Sequence, residues 1–211
     1  MKYLSLFFAY IIVCAGAQAQ ATLASSNDSL EKAKKDSMRM AMFFSKATYP
    51  LIKSSKWAGV LPVENVTEVP DPKIQYKLLM EDVFPVKDSA AAKDVNGGLA
   101  EVGRIINLHI ASGIPKNKPN VVVIVHGAAL YALYNNGPYK KKYGLDNPNI
   151  PLINELMKNG VKFIACGQAM NFFEVKKEEM VPNVRISLTA QTVLSHYQLK
   201  GYVWYPIEDK E

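Results

Sequence analysis

The chain has 211 residues, 49% of them apolar, and a formal net charge of +6 from 25 Lys and Arg against 19 Asp and Glu. A chain of this length and apolar content can bury one good hydrophobic core. Its basic residues are spread along the sequence and form no stripe interleaved with aromatics, so the composition disfavours a nucleic-acid-binding protein.

Residues 1–19 have the pattern of a secretory signal peptide, with the apolar run Leu4–Ala15 followed by the small-x-small sequence Ala17-Gln18-Ala19. The run is shorter than the roughly 20 residues that span a bilayer, and no later segment approaches that length. We therefore predict an exported protein, periplasmic or secreted, that is cleaved after about Ala19 and does not insert into a membrane. Lipidation of Cys14 is the alternative, disfavoured because Ile11-Ile12-Val13 lack the expected small residue.

Cleavage would leave 211 − 19 = 192 residues and one of the two cysteines, Cys166. In an oxidising compartment an unpaired cysteine is a buried inert thiol, part of an intermolecular disulfide, or a reactive group.

Residues 20–73 are predicted to form an N-terminal helix and an extended arm. Asn27 or Asp28 can cap a helix with a moderately apolar face. Residues 49–72 contain four prolines and no clear period. They are therefore expected to wrap the domain or to reach a neighbouring subunit.

Residues 74–206 alternate between strand and helix patterns, and residues 207–211 form a tail. This order predicts a three-layer α/β/α sandwich with a mostly parallel five-stranded sheet, flavodoxin-like or Rossmann-like. The expected strands are Ile74–Met80, Val121–Val125, a strand from Val161 that carries Cys166, Val184–Ile186 and Tyr202–Tyr205. The expected helices are Leu99–Ser112, a helical turn at Gly127–Tyr134, Leu152–Lys158, Ala169–Phe173 and Thr189–Gln198, with an exposed loop at Asn136–Asn149.

Cys166 and His126 are the main candidates for chemistry, because each ends an inner strand and consecutive strands place such residues at one edge of the sheet. The helix N-terminus at Gly167-Gln168 and His126 are expected to stabilise a Cys166 thiolate. The alternative is that Cys166 is a small buried hydrophobe and that His126 binds loop carbonyls.

We assign substrate contacts to Gly127, Gly167, Gln168 and Asn171. The sequence contains no dinucleotide, phosphate-loop, zinc or serine-hydrolase motif. Dinucleotide, ATP, zinc and serine-hydrolase functions therefore lack their usual sequence support, and no metal site is predicted.

Five segments spread over residues 74–206 share their order of apolar strands and turn residues with one known family. They are Gln75–Met80, Ile105-Ile106-Asn107-Leu108 before Gly113, Val121–Gly127 with Leu130 following, Gly160 to Cys166, and Gln198-Leu199-Lys200-Gly201-Tyr202.

Together these segments resemble the DsrE/DsrF-like sulfur-carrier family. The resemblance implies a small α/β domain that forms dimers, trimers or hexamers and needs no cofactor. It also implies that Cys166, at the end of its strand, accepts sulfane sulfur as a persulfide and passes it to a partner thiol.

The leading hypothesis is thus an exported protein that binds or transfers sulfane sulfur on Cys166, with a sulfur donor or acceptor protein as its partner. The alternative is a non-catalytic binding or assembly subunit with a buried, unreactive cysteine, whose interaction surface is the tyrosine-containing loop Asn136–Asn149.

Overall fold

The computed structural model describes residues 29–208. The predicted signal peptide and the lipidation alternative at Cys14 lie outside the described residues. The chain divides into two units, Met1–Lys46 and Ala47–Glu211. The described part of the first unit is a helix, α1, over residues 29–46, most of whose side chains are exposed. Within residues 29–208, no helix combines the length and the apolar character needed to cross a bilayer.

The second unit is built on five parallel strands in the spatial order β4-β3-β2-β1-β5. This confirms the predicted α/β class, and every strand pairing is parallel. The strands are β1 (Lys77–Asp82), β2 (Asn120–Val125), β3 (Lys162–Cys166), β4 (Arg185–Ser187) and β5 (Val203–Ile207). The α-helices are α2 (Gly97–Ala111), α3 (Asn136–Tyr143), α4 (Ile150–Lys158), α5 (Gly167–Phe172) and α6 (Ala190–Leu199), with 3-10 helices at Lys56–Ala58, Ala91–Lys93, Gly127–Leu133 and Lys177–Glu179.

Helices cover both faces of the sheet. Leu78 and Met80 of β1 point to the larger core, which contains side chains of α2 and α4, whereas Leu79 points to a smaller core under α6. Strand β2 is buried on both faces, as its run of branched apolar residues requires.

The direction of the connections changes between β3 and β4. Strands β1 to β4 follow one another across the sheet, whereas the chain after β4 returns through α6 on the opposite face to the far edge beside β1. In open α/β sheets, ligands bind outside the carboxyl ends of strands at such a switch point. The carboxyl ends of β3 and β4 are therefore the expected location of a ligand-binding or catalytic site.

The segment before β1 is anchored to α2 by one buried amide side chain. The Asn107 carboxamide accepts hydrogen bonds from the N–H groups of Leu51 and Ile52 at 3.0 and 2.9 Å. Its amino group donates to the carbonyls of Ile52 and Ala58, both at 2.8 Å. Ile52 and Ala58 thereby enter the larger core.

The predicted loop at Asn136–Asn149 is wrong over its first half, which forms α3. The Asn135 side chain caps the helix by accepting the Gly137 N–H, and Gly144 ends it with a φ of 81°. Tyr139, in the middle of this helix, is fully buried in the larger core. The polar composition of the segment suggested a loop, because two tyrosines, Tyr139 and Tyr143, pack this helix against the core in place of an apolar stripe.

Strand β1 begins and ends later than predicted. The apolar residue Ile74 is half exposed before the strand, and the strand instead continues through Glu81 and Asp82. Two acidic residues are unexpected in an inner strand. Glu81 becomes part of the candidate site, whereas Asp82 is buried on the opposite face of the sheet.

Candidate functional site

Cys166 ends β3 at the switch point, and its side chain is only 5% exposed. Its Sγ accepts a hydrogen bond from the N–H of Ala190 at 3.2 Å. Ala190 is the first residue of the ten-residue helix α6, whose N-terminus carries partial positive charge. The sequence pointed to the helix that follows Cys166. The group that contacts the sulfur belongs instead to a helix 24 positions further along the chain.

The loop between β4 and α6 ends at Ala190, whose N–H contacts the thiol. The Gln168 N–H donates to the Leu188 carbonyl at 3.1 Å. The Ser187 hydroxyl lies 3.2 Å from the Ala165 carbonyl and 3.3 Å from that of Thr189. These contacts hold the loop against the end of β3.

Gly167 permits this close approach. A Cβ at position 167 would lie 2.6 Å from the Ser187 carbonyl oxygen, a separation that side chains do not reach. Gly167 therefore does more than begin α5. It leaves room for the backbone that carries the α6 N-terminus to the sulfur.

His126 lies beside Cys166 on the same face of the sheet. Val125 pairs with Ala165, so the next residues of β2 and β3 are neighbours across the sheet. Cys166 and Ile124 belong to the core under α6, and side chains two positions apart in extended backbone share a face. The structure thus brings the two predicted residues together at one edge.

The hydrogen-bond partner of His126 is a carboxylate. Its Nε2 is 2.9 Å from Oε1 of Glu81 in β1. The Trp204 indole N–H donates to the other carboxylate oxygen of Glu81, also at 2.9 Å. Sequence reasoning missed both residues. An acidic residue at the end of a buried strand was the available signal for Glu81, whereas nothing in the sequence marked Trp204.

Three of the four predicted substrate contacts line one surface groove. Gly167, Gln168 and Asn171 lie there with Met170, Ile186, Ser187 and Leu188, around a volume of about 450 Å³. Gly127 lies apart from the groove, at the start of the 3-10 helix after β2, with a φ of 63°. Phe172 and Leu188 are 81% and 74% exposed, so an apolar surface adjoins the groove.

A second carboxyl group, that of Asp82, is completely buried on the opposite face, at the end of β1. Its Oδ1 accepts the Phe84 N–H at 3.0 Å, whereas Oδ2 has no partner among the described residues. Burial raises the pKa of Asp82 from 3.8 to about 7, although the Phe84 hydrogen bond acts in the opposite direction. Gly98 packs directly on this carboxyl group, because a Cβ there would lie 2.1 Å from Oδ1.

In the part of the chain from residue 29 to residue 208, no three His, Cys, Asp or Glu side chains are grouped so that they could hold a metal ion. The titratable side chains that the structure places near Cys166 at this edge of the sheet are the thiol itself, the His126 imidazole and the Glu81 carboxylate.

The solved structures that are similar to this chain include the following two. One is a protein of unknown function from Methanobacterium thermoautotrophicum, with 14% identity and a TM-score of 0.45, covering 63% of this chain and 99% of that chain. The other is the ychN protein from E. coli, with 13% identity and a TM-score of 0.45, covering 64% of this chain and 99% of that chain. No curated protein matches the sequence. At these identities the structural likeness concerns the fold alone.

The fold and site define a three-layer α/β protein with a cysteine at the carboxyl end of an inner parallel strand. The model of the DsrE/DsrF-like family matches residues 96–204, about half of the sequence. The chain belongs to the DsrE/DsrF-like family. The match includes the cysteine, His126 and Trp204, and it begins after β1 and therefore after Glu81 and Asp82.

Proposed function

We propose that this protein carries sulfane sulfur as a persulfide on Cys166. The observation that supports the proposal is the hydrogen bond from the Ala190 N–H to Sγ at 3.2 Å. A helix N-terminus stabilises nearby negative charge, and both a thiolate and a persulfide are anions when reactive. Membership of the DsrE/DsrF-like family is consistent with a role in sulfur relay.

The transfer step exchanges one sulfur–sulfur bond for another and needs no external oxidant. The Cys166 thiolate attacks the outer sulfur of a donor persulfide, R–S–SH, and forms Cys166–S–SH. The donor's sulfur–sulfur bond breaks, and RS⁻ leaves with its electron pair. The same step in reverse delivers the sulfur to an acceptor thiolate.

The low exposure of Cys166 sets a condition on this chemistry. Since Cys166 is 5% exposed, the residues that surround its thiol have to move before a donor can reach it. A short polysulfide is therefore the first donor to test, because it requires the smallest displacement.

Cys166→Ser tests the proposal. After brief exposure to polysulfide, the wild-type mature chain is expected to gain the mass of one or more sulfur atoms, and the variant is expected to gain none. Serine is close to cysteine in size, and its hydroxyl oxygen can accept the Ala190 N–H, so the fold should be retained. Intact-mass spectrometry measures the gain, and circular dichroism checks the fold.

The burial of Cys166 favours a second candidate function, that of a non-catalytic binding or assembly subunit with a structural thiol. In that case the wild-type protein would gain no sulfur. The thiol would resist alkylation in the folded state and react only after unfolding, and Cys166→Ser would leave binding unchanged.

Self-association is proposed to use the apolar surface of Phe172, Leu188 and Ile186, which are 81%, 74% and 43% exposed. Ile186 lies in the short edge strand β4, where side chains of a second copy can pack without a helix in between. Serine at both Phe172 and Leu188 is expected to reduce the assembly to single chains.

Size-exclusion chromatography with light scattering measures the assembly mass. Leu199→Ser is the matched control, because Leu199 is 90% exposed at the opposite end of α6. Equal masses for the double variant and the control would contradict the assignment of this surface.

Export is also part of the proposed function, on the basis of the pattern in residues 1–19. The intact mass of the chain recovered from the producing cells reports this directly. A mature chain that begins at about Gln20 supports export, and an unprocessed chain contradicts it.

A further inference from the structure

Four side chains from four neighbouring strands lie on the α6 face near the carboxyl edge of the sheet. Across the order β5-β1-β2-β3 they are Trp204, Glu81, His126 and Cys166. Glu81 pairs with Ile124, two residues before His126, and Trp204 pairs with Leu79, two residues before Glu81. They therefore share one face.

Hydrogen bonds link three of the four. Glu81 uses one carboxylate oxygen for the His126 ring and the other for the Trp204 indole, each at 2.9 Å. The side chains of His126 and Glu81 are 29% and 16% exposed, so solvent screens their interaction only in part. With both oxygens engaged, Glu81 cannot rotate without losing a partner.

The carboxylate selects one form of the imidazole. An ionised carboxylate only accepts hydrogen bonds, so the proton of a neutral His126 ring lies on Nε2. The other nitrogen, Nδ1, is then an acceptor, and among residues 29–208 it has no hydrogen-bond partner. The ring thus presents an available base on the strand next to Cys166.

We propose that Glu81 is a positioning residue that holds His126 as the proton acceptor and donor for sulfur transfer at Cys166. The inference rests on the proposed function. As Sγ attacks the outer sulfur of R–S–SH, the thiol proton moves to Nδ1. His126 then returns it to RS⁻, so that Cys166–SH and R–S–SH become Cys166–S–SH and RSH.

A double-mutant cycle separates positioning from general stabilisation. Glu81→Gln is expected to slow the sulfur loading of Cys166 about tenfold, and His126→Ala about a hundredfold. If Glu81 acts through His126, the double variant loads no more slowly than His126→Ala alone. If Glu81→Gln slowed sulfur loading by the same factor in the wild-type protein and in the His126→Ala variant, the proposal would be overturned.

A matched control is Glu101→Gln, which removes a carboxylate that pairs with Arg104 on α2, away from this face. It is expected to load sulfur at the wild-type rate. A tenfold slowing of the control would mean that loading responds to any lost carboxylate, and this too would overturn the proposal.

A spectroscopic measurement tests the positioning even if Cys166 accepts no sulfur. Long-range proton–nitrogen NMR of the wild-type protein is expected to show neutral His126 protonated on Nε2. In Glu81→Gln the two neutral forms are expected to mix. A wild-type ring protonated on Nδ1 would overturn the positioning role, whereas an absence of sulfur loading with the expected spectrum would refute only the proposed function.

Discussion

Replacement of Asn107 by leucine is expected to lower the free energy of unfolding by about 3 kcal/mol or more. The side chain is fully buried and makes four hydrogen bonds to the backbone of residues 51–58. Each buried backbone group left without a partner costs about 1–3 kcal/mol, and leucine can satisfy none of the four. Release of this segment would also expose Ile52 and Ala58.

Urea unfolding followed by circular dichroism measures the loss. Asn117→Leu is the control, because Asn117 lies exposed in the turn between α2 and β2. Limited proteolysis should in addition cut Asn107→Leu within residues 47–60 before the rest of the domain. A loss below about 1 kcal/mol would show that the four hydrogen bonds are not what anchors this segment.

The second large effect is a fall in stability with rising pH, caused by Asp82. Its pKa is 3.8 in an unfolded chain and about 7 in the folded protein. The folded state therefore holds the proton more tightly than the unfolded state. The stabilisation that comes from this tighter proton binding is fully present below pH 3.8. It decreases as the pH rises from 3.8 to about 7, and it is absent above about pH 7. Between about pH 4.5 and about pH 7.5 the expected loss is about 3 kcal/mol.

The difference between wild type and Asp82→Asn isolates this contribution. Asparagine can keep the hydrogen bond from the Phe84 N–H but has no charge to bury. The fall in unfolding free energy between about pH 4.5 and about pH 7.5 should therefore disappear in this variant. Its amino group occupies the place of Oδ2, which has no partner among the described residues, and costs about 1–3 kcal/mol at both pH values. The quantity to compare is therefore the slope of the unfolding free energy against pH.

Glu64→Gln controls for the loss of a negative charge, because Glu64 is exposed in the segment before β1. It should retain the wild-type slope. If Asp82→Asn also retained that slope, the buried carboxyl group would not be the source of the pH dependence.

The fold class followed from the sequence because its local patterns agree with one another. The run Val121–Val125 can only be an inner strand, and the alternation of such runs with amphipathic segments leaves few topologies besides a parallel sheet. The strand order was left open, since the residues alone do not show which edge receives β5.

Helix α3 is an element that hydrophobic periodicity could not predict. Eight residues with three consecutive lysines carry no apolar stripe, and the helix exists because Asn135 and Gly144 cap it and Tyr139 enters the core. Only a packed structure shows that this polar segment buries Tyr139 completely and packs Tyr143 against the core.

The sequence by itself determined that Cys166 and His126 end two inner strands that are consecutive in the chain, because strand ends can be located from apolar runs and following glycines. That these strands are neighbours in the sheet is shown by the structure. The tertiary structure also decided what surrounds the two residues. The α6 N–H at the sulfur, the Glu81 carboxylate at the imidazole and the buried Asp82 all depend on strand register and on a helix returning across the sheet. These are long-range contacts, which local sequence patterns cannot specify.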